Sequence, residues 1–532
     1  MFFLPDAIKH SIKNALLSKT IPENGQYGKD NINFKPQQEL TIPTDKNTTN
    51  DYICGVYYTN WSPYPPRNHF PQQIDFTRIT NVYYSFFIIN PKTGKILSSD
   101  DWADFEMNVF KKMYIDLPTN QRKKSDKLLS YKNADKILGK GLISEFYYLK
   151  TSAFLSQYSG LSTHGNFKTV MSIGGWSNKD SFHLIAHDNT KFNNFINSAV
   201  DTMFKYGFDG IDIDWEFPVN DGVEPVKFLN MVRIIGEKLN MLEKNIYGTK
   251  PQNIIDSDAH FLLTVAIPCA EETLSIMKLN QMDRYVDYWN LMAYDFKGEW
   301  STTAGFHSNL YNKDNQKYNK KYKRTHFRND ESELSVDLGV KYLLNNTNIN
   351  SKKIILGMPM YGRGFTHVNS NSIEKITNGS VSYSGVGGLS DGEPGMWLYN
   401  QLPLRNGNNA KVSASSMNNE HFDSEAVSAY SFDPNNKTFV GYDNQQSMVV
   451  KAEYVQKMKL GGGFWWESCG ENSAKPLIKA FHDSIPNASW DSKKQKSLWN
   501  NSQVIEYYLK EYGEEGFLSK MMQSQLYRKN NS

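Results

Sequence analysis

Residues 208–218 read Phe-Asp-Gly-Ile-Asp-Ile-Asp-Trp-Glu-Phe-Pro. Asp212, Asp214 and Glu216 occupy every second position, interleaved with Ile211, Ile213 and Trp215. In a strand, alternate side chains share a face, so the three carboxylates point one way and the apolar residues the other. Neighbours on that face stand ~7 Å apart. Like charges packed so closely raise at least one pKa and keep a carboxylic acid protonated near neutral pH. A solvated acidic edge strand fits poorly with the bulky apolar residues on the opposite face. The row predicts a hydrolase acid held over a pocket.

A row of this kind needs rigid elements on either side. Short apolar runs recur along the chain at Ile53–Tyr58, Asn81–Ile88, Lys168–Ile173, Gly210–Asp214, Phe261–Ile267, Tyr288–Ala293, Lys353–Met358 and Gly462–Trp466. Most are followed by a loop and a helical pattern. Their near-continuous apolar character suits parallel strands covered on both faces, and their number predicts a closed (β/α)8 (TIM) barrel. The clearest helix runs from Val226 to Ile246, with Phe228, Met231, Ile234, Ile235, Leu239 and Leu242 along one stripe. Barrel and loops together span residues 51–484.

Four stretches depart from the rhythm. Residues 1–50 carry a short amphipathic segment, Ala7 to Leu17, then polar Pro- and Asn-rich sequence, and read as a tail or linker. Residues 110–150 form a long Lys-rich insertion between the second and third strands. Residues 366–441 are rich in Gly, Ser and Asn, with strand-like pieces at Val427–Phe432 and Thr438–Tyr442, and predict a small inserted α+β domain before the last strand. Residues 485–532 hold aromatic helical turns such as Val504–Tyr512 and form a C-terminal helical extension.

Active sites of such barrels lie at the C-terminal ends of the strands. Ser172-Ile-Gly-Gly-Trp-Ser closes the third strand, where paired glycines permit close backbone approach. The acidic row closes the fourth, Met292-Ala-Tyr-Asp-Phe the sixth, Met358-Pro-Met-Tyr-Gly-Arg-Gly-Phe the seventh and Gly461-Gly-Gly-Phe-Trp-Trp-Glu the eighth. Asp209 is expected to brace its strand end, Trp465 to pack in the core, and Glu467 to be exposed or to stand behind the site. Trp61, Trp300 and Trp397 are either extended subsites or ordinary surface aromatics.

The 532 residues carry a net charge of +3, which gives no reason to expect nucleic acid or an anionic membrane as a partner. The three cysteines, Cys54, Cys269 and Cys469, are widely spaced and read as isolated buried thiols. No run reaches the length of a membrane helix, and Pro5 cuts off the opening Met-Phe-Phe-Leu before a signal peptide can form. Sequons at Asn47, Asn345 and Asn436 would suit a secreted chain. The eleven histidines show no ligand spacing, so no metal and no cofactor is expected.

Taken in order, the acidic run, Ser-x-Gly-Gly-Trp, Met-x-Tyr-Asp and Tyr-Gly-Arg resemble the motifs of glycoside hydrolase family 18, over roughly residues 51–480. Tyr57-Tyr58-Thr-Asn-Trp-Ser-Pro-Tyr and the closing Phe-Trp-Trp-Glu look most like the sporulation-type chitinases of budding yeasts. The resemblance implies an endo-acting, monomeric chitinase that cleaves the β-1,4 links of N-acetylglucosamine polymers. Chitin or chito-oligosaccharides would be its partners, and fungal cell-wall or spore-wall remodelling its role. That role points to a secreted or wall-associated protein, although no signal peptide is legible.

By the same resemblance Glu216 would be the general acid. Asp214 would orient the substrate's own N-acetyl group as it attacks the anomeric carbon, and Asp212 would share a proton with Asp214. Tyr294 and Asp295 would position the acetamido group and the acid, and Trp466 would floor the distorted sugar. Tyr57, Phe86, Ser172, Gly175, Trp176, Met292, Tyr361 and Arg363 would complete the subsite walls. A nucleophile supplied by the substrate accounts for carboxylates that all lie on the acid's own strand, and it implies retention of anomeric configuration. Two other readings use the same row: a chitin-binding lectin that has lost activity, and a hydrolase of the chitobiose core of N-glycans. Lys297 and Glu299 depart from the residues many relatives carry there, which leaves subsite preference open.

Overall fold

The computed structural model describes residues 51–109, 140–151, 167–248, 260–312, 334–386, 393–404, 419–485, 488 and 496–523. The predicted tail at 1–50 lies outside the described residues, as does most of the Lys-rich stretch. Eight parallel strands form the centre: β1 (Ile53–Thr59), β2 (Asn81–Ile89), β3 (Lys168–Gly174), β4 (Gly210–Asp214), β5 (Leu262–Pro268), β6 (Tyr288–Met292), β7 (Ile354–Pro359) and β8 (Gly462–Trp466). Each pairs with its neighbours in chain order, and β1 pairs with both β2 and β8, which closes the barrel. A short strand, Ile96–Ser98, adds antiparallel to the end of β2. Every predicted apolar run is a barrel strand, because a strand covered on both faces leaves a continuous hydrophobic run in the sequence.

The helix Glu224–Tyr247 buries Phe228, Met231, Val232, Ile235 and Leu239 along one side, with Ile234 and Leu242 half-buried at its margin. Its apolar spacing is that of a helix covering one face of a sheet. Asp188 starts the helix Asn189–Lys205 by accepting the backbone N–H groups of Thr190 and Lys191. The end of the Lys-rich stretch differs from its expected role as insertion: Gly141–Thr151 is a helix, buried from Gly141 to Lys150, that covers the barrel between β2 and β3. Its polar look comes from two charged residues the fold buries, Glu145 and Lys150.

Between β7 and β8 the chain builds a five-stranded antiparallel sheet in the order Met396–Leu398, Tyr361–Phe365, Thr438–Tyr442, Ser428–Asp433, His421–Asp423. Its first strand, Tyr361–Phe365, follows β7 with only Met360 between them. The sheet therefore hangs directly from a barrel strand. Trp397 is buried within it and serves packing. Among the described residues no helix is long and apolar enough to cross a membrane.

The N-terminal end of β4 is held by a buried polar knot. Asp209 accepts from Lys150 Nζ at 2.7 Å and the Thr169 backbone at 2.9 Å through one oxygen, and from Ser497 Oγ and the Leu498 N–H, both at 2.8 Å, through the other. Trp499 adds a hydrogen bond from its indole to the carbonyl of Phe208. The C-terminal extension thus seals the barrel's lower end, and Asp209 braces the strand. Burial lowers the Lys150 pKa to about 8 against the pull of Asp209 in the other direction.

Removing one partner of a fully buried pair strands the other in a medium that cannot solvate it. Lys150→Met should therefore destabilise the chain by roughly 3–5 kcal/mol. Chemical denaturation is the measurement. The double variant Lys150→Met/Asp209→Leu should lose less than the sum of the two single changes.

Candidate active site

Register decides what meets the acidic row. Asp212 pairs with Ser172 on β3 and with Thr264 on β5, so a hydroxyl flanks it on either side. Ser172 Oγ donates to Asp212 Oδ2 at 2.7 Å, and Thr264 Oγ1 donates to Oδ1 at 2.6 Å. Tyr57 Oη from β1 adds a bond of 2.8 Å and Asn290 Nδ2 from β6 one of 3.3 Å. Four donors therefore converge on a carboxylate with no exposed surface. Burial leaves the Asp212 pKa raised, although these four donors oppose the rise.

Asp214 lies one step further up the same face. Among the described residues its Oδ1 is buried and without a hydrogen-bond partner. Burial, and after it the charges of Glu216 and Asp212, push its pKa well above the usual carboxylate range. The resemblance implied a proton shared between Asp212 and Asp214, but no hydrogen bond joins them here. Donors fill the lone pairs of Asp212, while the Oδ1 of Asp214 has none among the described residues, so the proton of the pair belongs on Asp214.

Glu216, at the rim and half-buried, has its pKa pushed up to about 7 by burial and then by the charge of Asp295, while the backbone N–H of Trp176 and the charge of Lys179 oppose the rise. The opposite face of this segment is apolar, as alternation requires. Ile211, Ile213 and Trp215 are buried outside the barrel, and Trp215 stacks on Phe182 with centroids 5.3 Å apart.

Asp295 faces the row from the end of β6. It adopts φ = 59°, a left-handed conformation uncommon outside glycine, and accepts from Tyr361 Oη at 2.7 Å and Arg363 Nε at 2.8 Å. Burial would raise its pKa, but Arg363 and the neighbouring His307 hold it well below the usual carboxylate range. Asp295 is thus a fixed anion, and Tyr361 and Arg363 reach it because the inserted sheet grows straight out of β7. Arg363 also pairs with Glu393 and lies over the ring of the exposed Trp300, 5.1 Å from its centroid.

Aromatic rings complete the concavity. Half-buried Trp466 stacks on Phe86 at 5.6 Å and tilts against Tyr57 at 5.4 Å, and Trp61 sits 6.2 Å from Phe86. Tyr294 packs edge-on to Tyr361 and Phe464, with Met292 in the same cluster. Trp176 projects outward, 60% exposed, with Lys179 Nζ over its ring at 3.3 Å. A side chain at Gly175 (φ = 78°) would fall 2.5 Å from the Phe86 ring, and one at Gly174 would strike the Asp214 carbonyl oxygen at 2.1 Å. Both glycines let β3 approach the acid strand. Non-proline cis peptides occur at Ser85–Phe86, Glu216–Phe217 and Trp466–Glu467.

The structure redistributes several expected wall residues. Tyr57 and Ser172 are buried and give their hydroxyls to Asp212, so both hold a carboxylate in place. Tyr361 is likewise buried behind Asp295. Phe86, Trp176, Met292, Trp466, Trp61 and Trp300 have the exposure or the neighbours that a wall requires, and Trp465 is core, as alternation demands. Glu467 is not exposed: it pairs with Arg67 at 2.9 Å and accepts from Thr59 Oγ1 at 2.6 Å, directly beside Trp466.

Thr264, Asn290 and Tyr83, whose hydroxyl donates to Asn290 at 3.3 Å, went unrecognised in the sequence. Their signal was a polar residue at an inward position of an otherwise apolar strand. His183 and His187 stand four apart, and both approach the Glu224 carboxylate, at 2.7 and 3.4 Å.

Known proteins resemble this chain in sequence and in fold. Residues 53–471 match the family described as Glycosyl hydrolases family 18. The chain is 39% identical over 484 residues to sporulation-specific chitinase 2 of Saccharomyces cerevisiae, covering 88% of this chain and 84% of the relative. It is 30% identical over 422 residues to endochitinase 1 of Metarhizium robertsii, covering 79% and 82%. In three dimensions it resembles a class V chitinase from Nicotiana tobaccum solved with NAG4, with a TM-score of 0.56, 19% identity and coverage of 82% and 99%. A barrel whose fourth strand ends in this acidic row, matched over most of its length, makes the chain a member of glycosyl hydrolases family 18.

Proposed function

We propose that the chain is an endo-acting chitinase that hydrolyses β-1,4 links between N-acetylglucosamine units with retention of configuration. The observation that carries this is the division of labour along β4: an anchored Asp212, a proton-bearing Asp214 without a partner, and a rim carboxyl on Glu216 pushed up to about 7. Glu216 protonates the departing glycosidic oxygen. The acetamido oxygen of the sugar over Trp466 attacks its own anomeric carbon, giving a cyclic oxazolinium and releasing the leaving sugar. The open Oδ1 of Asp214 accepts a hydrogen bond from the acetamido N–H, which turns the acetamido oxygen toward the anomeric carbon. Glu216, now ionised, takes a proton from water as that water opens the ring from the same face, which restores the acid and retains configuration.

Asp295 supports this reading by being unsuited to attack. Its ion pair with Arg363 and its bond from Tyr361 hold it as an immobile anion, fit to orient the acetamido group and to keep Glu216 protonated. Tyr294 has its hydroxyl free among the described contacts and its pKa raised well above the ordinary value by burial and by Asp214. It therefore stays a hydrogen-bond donor at working pH. Flat apolar sugar faces find Phe86, Trp466 and Trp176 to pack on. Similarity to relatives named as an endochitinase and as a sporulation-specific chitinase supports cleavage of chitin within the polymer. A role in cell-wall or spore-wall remodelling, and with it a secreted or wall-associated location, belongs to the same proposal.

Two measurements test this. Purified protein and Glu216→Gln are given N-acetylglucosamine oligomers while product anomers are followed by NMR. The wild type should release β-anomers first, and the variant should lose on the order of 10²–10⁴ in rate while still binding oligomers. Release of α-anomers would exclude substrate-assisted retention, and binding without cleavage by the wild type would make the chain a lectin. Cleavage confined to N-glycan cores would assign the other hydrolase activity.

In the pH profile, the acid works only while protonated. Activity should therefore hold below the Glu216 pKa of about 7 and fall as pH rises through it. Lys179→Met removes a positive charge that lowers this pKa, so the alkaline limb should move to higher pH.

A further inference from the structure

On the outer side of the segment that follows the acid, four side chains converge. Glu224, the first residue of the helix Glu224–Tyr247, is buried and has both oxygens engaged. Its Oε2 accepts the Val219 N–H at 2.7 Å, and its Oε1 lies 2.7 Å from His183 Nδ1 and 3.4 Å from His187 Nε2. Asp221 Oδ1 accepts the backbone N–H groups of Val223 and Glu224, each at 2.8 Å. Its other oxygen stands 3.0 Å from the same His187 Nε2. One ligand atom from each of His187, Asp221 and Glu224 falls within 4.8 Å of the others.

This is more than an acidic cluster. Backbone donors hold one oxygen of each carboxylate and thereby aim the other at a common point, so much of the ordering entropy of a site is met by the fold. His183 Nδ1, four residues before His187, donates to the ligand oxygen of Glu224, the outer arrangement that orients metal-bound carboxylates. The His183 ring is itself set edge-on against Trp215, 6.0 Å away. One imidazole with two carboxylates suits a borderline divalent cation and disfavours Ca²⁺ and Mg²⁺, which prefer all-oxygen shells. Zn²⁺ bonds of ~2.0–2.2 Å to nitrogen and oxygen need only small shifts of these groups. With His187 half exposed, the fourth position opens to water.

We infer that His187, Asp221 and Glu224 form a Zn²⁺ site, with His183 as positioning residue. The site joins the helix Lys179–Ala186, which directly follows the Trp176 turn, to residues 217–223, which directly follow Glu216. Zinc there ties the two segments flanking the acid to each other.

The test uses the full chain, stripped with EDTA and titrated with ZnCl2 by calorimetry, with thermal unfolding in parallel. The wild type should gain a saturable site and a higher Tm with zinc. His187→Gln and Asp221→Asn should each weaken that site by tenfold or more, and His183→Gln by ~10–100-fold. All three positions border solvent, and an unchanged metal-free Tm verifies that each variant is folded. Saturable binding that survives in His187→Gln and Asp221→Asn, or no saturable binding by the wild type at millimolar zinc, overturns the proposal.

Discussion

A carboxylate placed inside a barrel must be compensated, and the structure around β4 is organised by that requirement. Asp212 is fully buried, and its charge is met by hydroxyls and an amide drawn from β1, β3, β5 and β6. Those donors act together only when all the strands hold one register, so closure of the barrel and ionisation of Asp212 depend on each other. A shift of one residue in β3 or β5 would turn Ser172 or Thr264 away and leave a buried charge unmet. Once Asp212 is an anion, its neighbour one step along the face cannot readily become another, and Asp214 keeps a proton.

The rim follows the opposite logic. Asp295 is charged and held so by Arg363, Tyr361 and His307, and that fixed charge helps to keep Glu216 protonated. The chain thus sets two acids and two anions in one small volume by giving each carboxyl a different company: donors for Asp212, none for Asp214, a guanidinium for Asp295 and a backbone N–H for Glu216. The inserted sheet belongs to this system. Its first strand carries both Tyr361 and Arg363, so the small domain sets the electrostatics at this end of the barrel. At the opposite end Asp209 is neutralised by Lys150 and the C-terminal segment, an arrangement that belongs to stability alone.

Much of this was legible in the residues. Covered parallel strands leave continuous apolar runs, so all eight barrel strands could be placed to within a residue, and the two-residue period of the acidic row told which side chains share a face. The helix at 224–247 was visible through its stripe. By contrast, Gly141–Thr151 hid its identity, because Glu145 and Lys150 make a buried helix look like part of a polar loop. Of the two positions expected for Glu467 the structure takes the one behind the site, where Arg67 meets its charge.

What the sequence determined by itself was periodic and local: the barrel, the carboxylate row, the glycines at the end of β3, and through its motifs the family. Tertiary structure decided which groups answer the charges. Tyr57 and Ser172 look like groove residues in the chain but are donors to Asp212, and Thr264 and Asn290 look like ordinary strand residues but complete that set. The pairing of His187 with Asp221 and Glu224 is of the same kind. Hydrogen bonds and Coulomb interactions act over a few ångströms in space. Strand register and the closure of the barrel set those distances, and they join residues that stand far apart along the chain.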